Sequence, residues 1–420
     1  MARLLYSLLL ALLSPFIFIY LYGIRGKKNA GYRQHFLERL GFYNKQLAQH
    51  AVVFHCASVG EVLAATPLIK AFQKTYPNEH LIVTCNTPTG RAQIKQSLGS
   101  EITLCYLPID FYYATARFIN RLQPKLLLIL ETELWPNLFA HAKERGCIVQ
   151  VLNARLSEKS FRGYKKVAPL SKFIMQNIDV LASHNLQDAE RFIALGLAPN
   201  KITVTGSIKF DIQLSDTEKA AANELKTLFA KRPVWVAGST HPGEHEQVFS
   251  AHQKVLAVHP NALLIIAPRH PEQFAKVDEL LTCSSLSHSC RSKSFDNKCQ
   301  VLLADTLGEL KMLFGSADVA YIGGSLIERG GHNPLEAAAF SVPILTGPHT
   351  YNFAHVYPEL LALKGALVVN NSDELAASII ELFSDATKRA ALGMNALDCL
   401  TRNQGAIDKT LTLISHHLQR

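Results

Sequence analysis

The 420-residue chain contains no C-x-x-C pair, no G-x-G-x-x-G loop and no G-x-x-x-x-G-K-[ST] loop. The first absence argues against a dithiol redox site, and the other two against a dinucleotide dehydrogenase or a P-loop NTPase. No zinc-finger, RRM or helix-turn-helix pattern accompanies the net charge of +9, so the basic balance does not mark a nucleic-acid partner. Cys283, Cys290 and Cys299 with His288 form a loose group whose spacings match no usual zinc pattern. Cys56, Cys85, Cys105 and Cys147 lie in or beside apolar runs, as free thiols buried in a reducing compartment do.

Charge is also missing from Leu4 to Ile24, about 21 residues, which matches the roughly 20 needed for a helix to cross the hydrocarbon core. Pro15 is tolerable inside such a helix, and Tyr20 and Tyr22 fall where amphipathic rings favour the interface. No A-x-A-like cleavage site follows, so the segment reads as a retained anchor and not as a signal peptide. Only Arg3 precedes it, whereas Arg25, Lys27, Lys28, Arg33 and Arg39 follow. The positive-inside tendency then places the rest of the chain in the cytoplasm, with this basic collar against an anionic membrane. One apolar segment on a globular chain also accounts for a hydrophobic share of 48% and a mean hydropathy of +0.09.

Beyond residue 50 the pattern is strand, helix, strand. Apolar or β-branched runs at Ala51–Cys56, Leu81–Cys85, Thr103–Leu107, Lys125–Leu130, Ile148–Leu152, Val180–Ser183 and Lys201–Thr205 read as buried parallel strands. Helical stretches such as Val62–Phe72 and Leu134–Glu144 lie between them. A second series starts at Val234–Ala237 and continues through Ala262–Ala267, Val301–Ala304, Val319–Ile322, Val342–Leu345 and Ala366–Val369. The length favours two cores, and the alternation predicts two doubly wound α/β domains, 51–210 and 211–420, after an anchor (1–24) and a basic segment (25–50). A long helical tail from Asp373, grouped with 211–420, closes the chain, either staying there or crossing back onto the first domain. Such sheets bind ligands beyond the carboxyl ends of their strands, and two of them are expected to face a common cleft.

Polar residues directly after strands are therefore the candidates. His55-Cys56-Ala57-Ser58-Val59-Gly60-Glu61 follows the first strand: a small-residue loop lets a ligand approach, and Glu61 opens the next helix, where the dipole favours its ionised form. Glu61 is either a general base or only a favourable helix charge. Glu131 and Glu133 follow the apolar run ending at Leu130. They form either an E-x-E pair for a metal-bound diphosphate, or a helix cap and a lysine partner. Lys209, after the last strand of the first domain, is a candidate for that lysine.

In the second half, Pro268-Arg269-His270-Pro271 places a guanidinium fork where a phosphate or carboxylate is held bidentately. Gly238-Ser239-Thr240 and Asp305-Thr306-Leu307-Gly308-Glu309-Leu310 also follow strands. The glycine-rich stretch Gly323-Gly324-Ser325 to Arg329-Gly330-Gly331-His332-Asn333-Pro334-Leu335-Glu336 runs into a helix whose free amides suit a phosphate. Glu336 is placed to accept hydrogen bonds from a ribose diol.

H-C-A-S-V-G-E, L-E-T-E-L-W-P-N, N-A-R at Asn153–Arg155, G-S-I-K-F-D, A-P-R-H, D-T-L-G-E-L and G-G-H-N-P-L-E-A-A together resemble, in the same order, the 3-deoxy-D-manno-oct-2-ulosonic acid (Kdo) transferases of lipopolysaccharide synthesis. The resemblance implies a GT-B fold, a CMP-Kdo donor and a tetraacyldisaccharide lipid A precursor as acceptor, with the first domain on the acceptor side and the second on the donor side. A nucleoside monophosphate leaving group has less charge to neutralise than a diphosphate, so no cofactor and no metal are expected. Attack opposite to departure gives inversion at the anomeric carbon, and the lipid acceptor fits an inner-membrane location. The resemblance also implies Glu61 as proton acceptor, Glu131 and Lys209 assisting the transition state, and Pro268, Arg269, Gly308, Glu309, Leu310, Asn333, Pro334, Leu335 and Glu336 at CMP. A nucleotide-sugar epimerase on the same fold would need no anchor. A membrane-tethered binding protein would keep CMP affinity without turnover.

Overall fold

A computed structural model describes residues 1–44, 47–99, 102–230, 232–293 and 295–418. The chain forms two units, one comprising Met1–Asp211 with the segment from Gln404 onward, the other Ile212–Asn403. The first holds seven parallel strands: β1 Val52–His55, β2 Leu81–Cys85, β3 Thr103–Tyr106, β4 Leu126–Leu130, β5 Ile148–Ala154, β6 Val180–Ser183 and β7 Ile202–Val204. They are ordered β3-β2-β1-β4-β5-β6-β7. The order reverses at β1 and β4, so the crevice beyond their carboxyl ends is the switch point where such sheets take ligands. All five residues of β4, Leu-Leu-Leu-Ile-Leu, are buried, as both-face covering by helices requires.

The second unit repeats the arrangement with β8 Val234–Thr240, β9 Leu263–Pro268, β10 His288–Cys290, β11 Val301–Leu303, β12 Val319–Ile322, β13 Ile344–Thr346 and β14 Ala366–Val368. The order is β10-β11-β9-β8-β12-β13-β14, again parallel throughout. Both units are thus the Rossmann-like doubly wound sheets expected from the alternation. β10 was not expected, because Ser-flanked His288 and Cys290 carry no apolar run. An edge strand pairs on one side only and does not need one.

The helical tail, grouped with 211–420 but left open in sequence between staying there and crossing back to the first domain, is divided. Ser372–Ser384 and Ala386–Arg402 stay with the second unit, but Ala406–Leu418 belongs to the first. Its Ala406 and Ile414 enter the apolar core beside β1 and β2. The Asp211 carboxylate accepts hydrogen bonds from the amides of Gly405 and Ile407, capping this last helix.

At the other end, Ala2–Lys28 is one helical run, long and apolar enough to cross a membrane. The basic collar is smaller than expected. Arg39 is buried (3% exposed), donates to the Asn86 carbonyl at 3.0 Å, and lies 4.0 Å over the Tyr106 ring. An arginine so enclosed has no charge to offer a bilayer.

Candidate active site

In the first unit, β1 ends at His55 and the chain turns through Ala57 and Ser58 into helix Val59–Thr75. Ser58 caps that helix, its hydroxyl oxygen accepting from the Glu61 amide at 3.3 Å. The Glu61 carboxylate accepts in return from the Ala57 amide at 2.8 Å and the Ser58 hydroxyl at 3.0 Å. Glu61 is therefore fixed against the loop at the end of β1 and is still partly open to solvent.

Glu131 follows β4 with its backbone in the left-handed region (φ 56°), and its carboxylate pairs with the Lys209 ammonium at 3.1 Å. Lys209 sits in the short helical turn Ile208–Phe210. Asn153, at the end of β5 and also left-handed (φ 54°), holds that turn: its side-chain oxygen accepts from the Ile208 amide at 3.1 Å and from His184 at 2.7 Å. Glu133 accepts from the Trp135 indole at 3.0 Å and lies 3.9 Å from the buried His55 ring. It does not cap the following helix. Asp110 does, accepting from the Asn137 and Leu138 amides at 3.0 and 2.8 Å. The two members of the E-x-E pair thus have separate partners. Among the described residues, no three His, Cys, Asp or Glu side chains gather closely enough to hold a metal ion.

One expectation is corrected here. The helix dipole was expected to keep Glu61 ionised, but burial, with the negative charges of Glu131 and Glu133, pushes its carboxyl up to about 7, against the lowering effect of the Ala57 amide. A dipole contributes a few tenths to one kcal/mol at an exposed helix end, which desolvation outweighs here. The result is a carboxylate poised near neutral pH beside an ammonium–carboxylate pair. That is the protonation state from which a general base works best.

In the second unit, Pro268 closes β9, the Arg269 amide donates to the Thr240 carbonyl at 3.0 Å beside the end of β8, and the Arg269 side chain is exposed. Three imidazoles gather there. His241 and His332 approach at 2.8 Å between Nε2 atoms, and the His270 ring meets His241 edge-on, with centroids 5.5 Å apart. Burial, with the positive charge of neighbouring His241, Arg269 and His270, pushes His332 down to about 3. An anion bound beside these imidazoles would favour their protonation.

The loops carrying these groups are tied together by Glu244, which is fully buried. Its carboxylate accepts from the His241 amide at 3.0 Å, the Tyr321 hydroxyl at 2.7 Å, and the amides of Gly324, Ser325 and Leu326 at 2.7, 3.1 and 3.1 Å. Gly323 must be glycine at this junction, since a Cβ would stand 2.5 Å from the Ser239 carbonyl oxygen.

Asn333, Pro334, Leu335 and Glu336 enter a helix of only five residues, Leu335–Ala339, too short for much of the dipole expected of it. The Asn333 side chain accepts from the Leu335 amide at 3.1 Å, and burial raises the carboxyl pKa of Glu336. After β11, the Glu309 side chain is occupied by Thr306 and by Arg291 at 3.2 Å. Gly308 is left-handed (φ 84°) with open space around its Cα. His241 and Glu244 were missed from the sequence, and His332 and Asn153 were noticed only as parts of motifs. The signal for Glu244 was present: His241-Pro242-Gly243-Glu244 after β8 mirrors Ser58-Val59-Gly60-Glu61 after β1.

Residues 34–212 match the family described as "3-Deoxy-D-manno-octulosonic-acid transferase (kdotransferase)", and residues 240–398 match "Glycosyl transferases group 1". The chain is 38% identical to the 3-deoxy-D-manno-octulosonic acid transferase of Haemophilus influenzae over the full length of both. It is 30% identical to that of Bordetella pertussis, again with both chains fully covered. A solved structure described as a putative UDP-N-acetylglucosamine 2-epimerase from Listeria monocytogenes superposes with a TM-score of 0.59, covering 89% of this chain and 97% of that one. At 14% identity this is a likeness of fold, the GT-B arrangement of two Rossmann-like domains.

Proposed function

Because the chain belongs to the 3-deoxy-D-manno-octulosonic acid transferase family, and so is a glycosyltransferase acting with Kdo, we propose the finer reading that it moves Kdo from CMP-Kdo to a tetraacyldisaccharide lipid A precursor, with inversion and without a metal. The observation that carries this reading is Glu61, a carboxylate held near pKa 7 beside the Glu131–Lys209 pair. The acceptor hydroxyl oxygen forms the new bond to the anomeric carbon while its proton passes to Glu61. The bond from that carbon to the phosphate oxygen breaks, and CMP leaves with the electron pair. Glu131 and Lys209 act on charge that develops at the sugar and the leaving oxygen.

The second unit holds the nucleotide. Arg269 meets the phosphate as a charge-assisted fork, Pro268 and the Gly308–Leu310 backbone line the cytidine side, and Asn333 to Glu336 meet the ribose. A monophosphate carries less charge than a diphosphate, so these cationic groups suffice in place of a divalent ion. The site acts from the cytoplasmic face of the inner membrane, where Lys27, Lys28 and Arg33 attract anionic lipid. The epimerase reading has a likeness of fold behind it, whereas the transferase reading has full-length relatives at 38 and 30% identity. The test is turnover of CMP-Kdo with and without the lipid acceptor. Acceptor-dependent release of CMP supports transfer, and acceptor-independent consumption of the donor sinks it.

A further inference from the structure

The N-terminal helix does not stand free of the first unit. Its polar side chains Arg3, Tyr6, Ser7 and Ser14 lie on one half-buried face, at helical spacing. The opposite face, with Leu4, Leu5, Leu8, Leu9, Leu12 and Phe16, is exposed and wholly apolar. The inner face is docked by specific contacts. Arg3 donates to the Asn137 side-chain oxygen at 3.0 Å and to Glu144 at 2.6 Å, and Ser7 donates to the same Asn137 oxygen at 3.0 Å. Tyr6 hydrogen-bonds to Asp110, the buried carboxylate that caps helix Pro136–Glu144.

The far end is docked as well. The Phe18 ring packs 5.9 Å from both Phe36 and Phe111, and Tyr22 lies 4.5 Å from Phe36. A helix rises about 1.5 Å per residue, so Arg3 and Tyr22 are separated by about 28 Å along the axis, nearly the thickness of the hydrocarbon core. A helix crossing the bilayer would put these two residues on opposite sides of it. Here both touch the same globular unit.

We infer that the helix lies lengthwise in the membrane interface, its inner face on the first unit and its outer face in the acyl layer, with both ends on the cytoplasmic side. A segment that is apolar outside and polar inside, docked along its length, is built for this disposition. The surface that receives it is a bilayer rich in anionic phospholipid. Exposed Lys27 and Lys28 end the helical run, and exposed Arg33 follows it. Exposed Lys159, Lys165 and Lys166 lie on helix Glu158–Lys166, which adjoins helix Ala168–Gln176, against which the N-terminal helix packs. Composition alone points to a single crossing, because hydropathy counts apolar residues and does not register which face the few polar ones share.

Two experiments on the full-length protein in native membranes decide it, and neither depends on which sugar is transferred. A protease-cleavable epitope at the N-terminus should be lost in sealed inside-out vesicles and retained in right-side-out ones. The reverse pattern overturns the lengthwise disposition in favour of a crossing. Ser7→Cys paired with Asn137→Cys should form an oxidant-dependent cross-link in membranes that neither single variant forms. A crossing helix holds residue 7 out of reach of residue 137, so absence of that cross-link in membranes overturns the inference whether or not it forms in detergent.

Discussion

Glu61→Gln keeps the shape of the side chain and removes its titration, so it separates two effects that the account couples. A positioned general base contributes about 10²–10⁴-fold in rate, so transfer should fall by that factor while CMP affinity stays near wild type. The same residue destabilises the fold at alkaline pH. Its carboxyl is held up to about 7 against an ordinary 4.5, so the folded protein keeps a proton that the unfolded chain releases. Stability is then highest below pH 4.5, declines as pH rises toward 7, and levels off above. At 1.36 kcal/mol per unit the full loss would be about 3 kcal/mol, and partial exposure of Glu61 screens it to about 1–2 kcal/mol. The glutamine variant has no proton to lose. It should melt a few degrees above wild type at pH 8 and close to it at pH 5. Thermal melts at the two pH values, paired with a transfer assay and a wild-type rate profile rising through about pH 7, are the measurements. Turnover within a few-fold of wild type removes Glu61 as the base. A melting temperature lowered equally at both pH values shows that burial is not perturbing it.

The Glu131–Lys209 pair should act as a unit: Glu131→Gln and Lys209→Met each impair turnover severely, and the double variant should be little worse, with a coupling energy of about 1–3 kcal/mol. Additive losses would show that the 3.1 Å contact is incidental. Arg269→Ala should weaken CMP binding about 10–100-fold by calorimetry, with Glu336→Ala costing less, since only the arginine makes a charge-assisted fork to phosphate. Unchanged affinity in both would remove them from the pocket. Activity should be complete in EDTA, and restoration of a stripped enzyme by Mg²⁺ would contradict metal independence. Asp211→Ala should cost about 1–2 kcal/mol and speed hydrogen exchange in Ala406–Leu418, because it uncaps the last helix. Unaltered exchange there would mean that apolar packing alone holds the helix.

The sheets were legible because a strand covered on both faces must be an apolar run, and Leu126–Leu130 is the plainest instance. β10 was not, since an edge strand of three residues leaves no such trace. Position was also legible for Glu61, Glu131, Lys209 and Arg269, each directly after a strand or its turn. What spacing does not carry is the state of the site. Glu61 and Glu244 both follow a glycine shortly after a strand, yet Glu244 is surrounded by five donors. Glu61 has two donors, and burial with two neighbouring carboxylates raises its pKa. That difference depends on Tyr321 and the 324–326 amides in one case, and on Glu131 and Glu133 in the other, all about 70 or more residues away. Likewise Asn153 reads as one residue of a motif until its oxygen is seen holding the Lys209 turn.

Carriage of Kdo from CMP-Kdo to a lipid A precursor is read most directly on the lipid itself. Purified protein should be incubated with the tetraacyldisaccharide and a CMP-Kdo supply, and the lipid weighed by mass spectrometry. The lipid should be heavier by a whole number of Kdo residues, with CMP released in the same number and about 10²–10⁴-fold less of both formed by Glu61→Gln in the same time. A lipid of unchanged mass, from protein that binds CMP and consumes or ignores the donor, would contradict it.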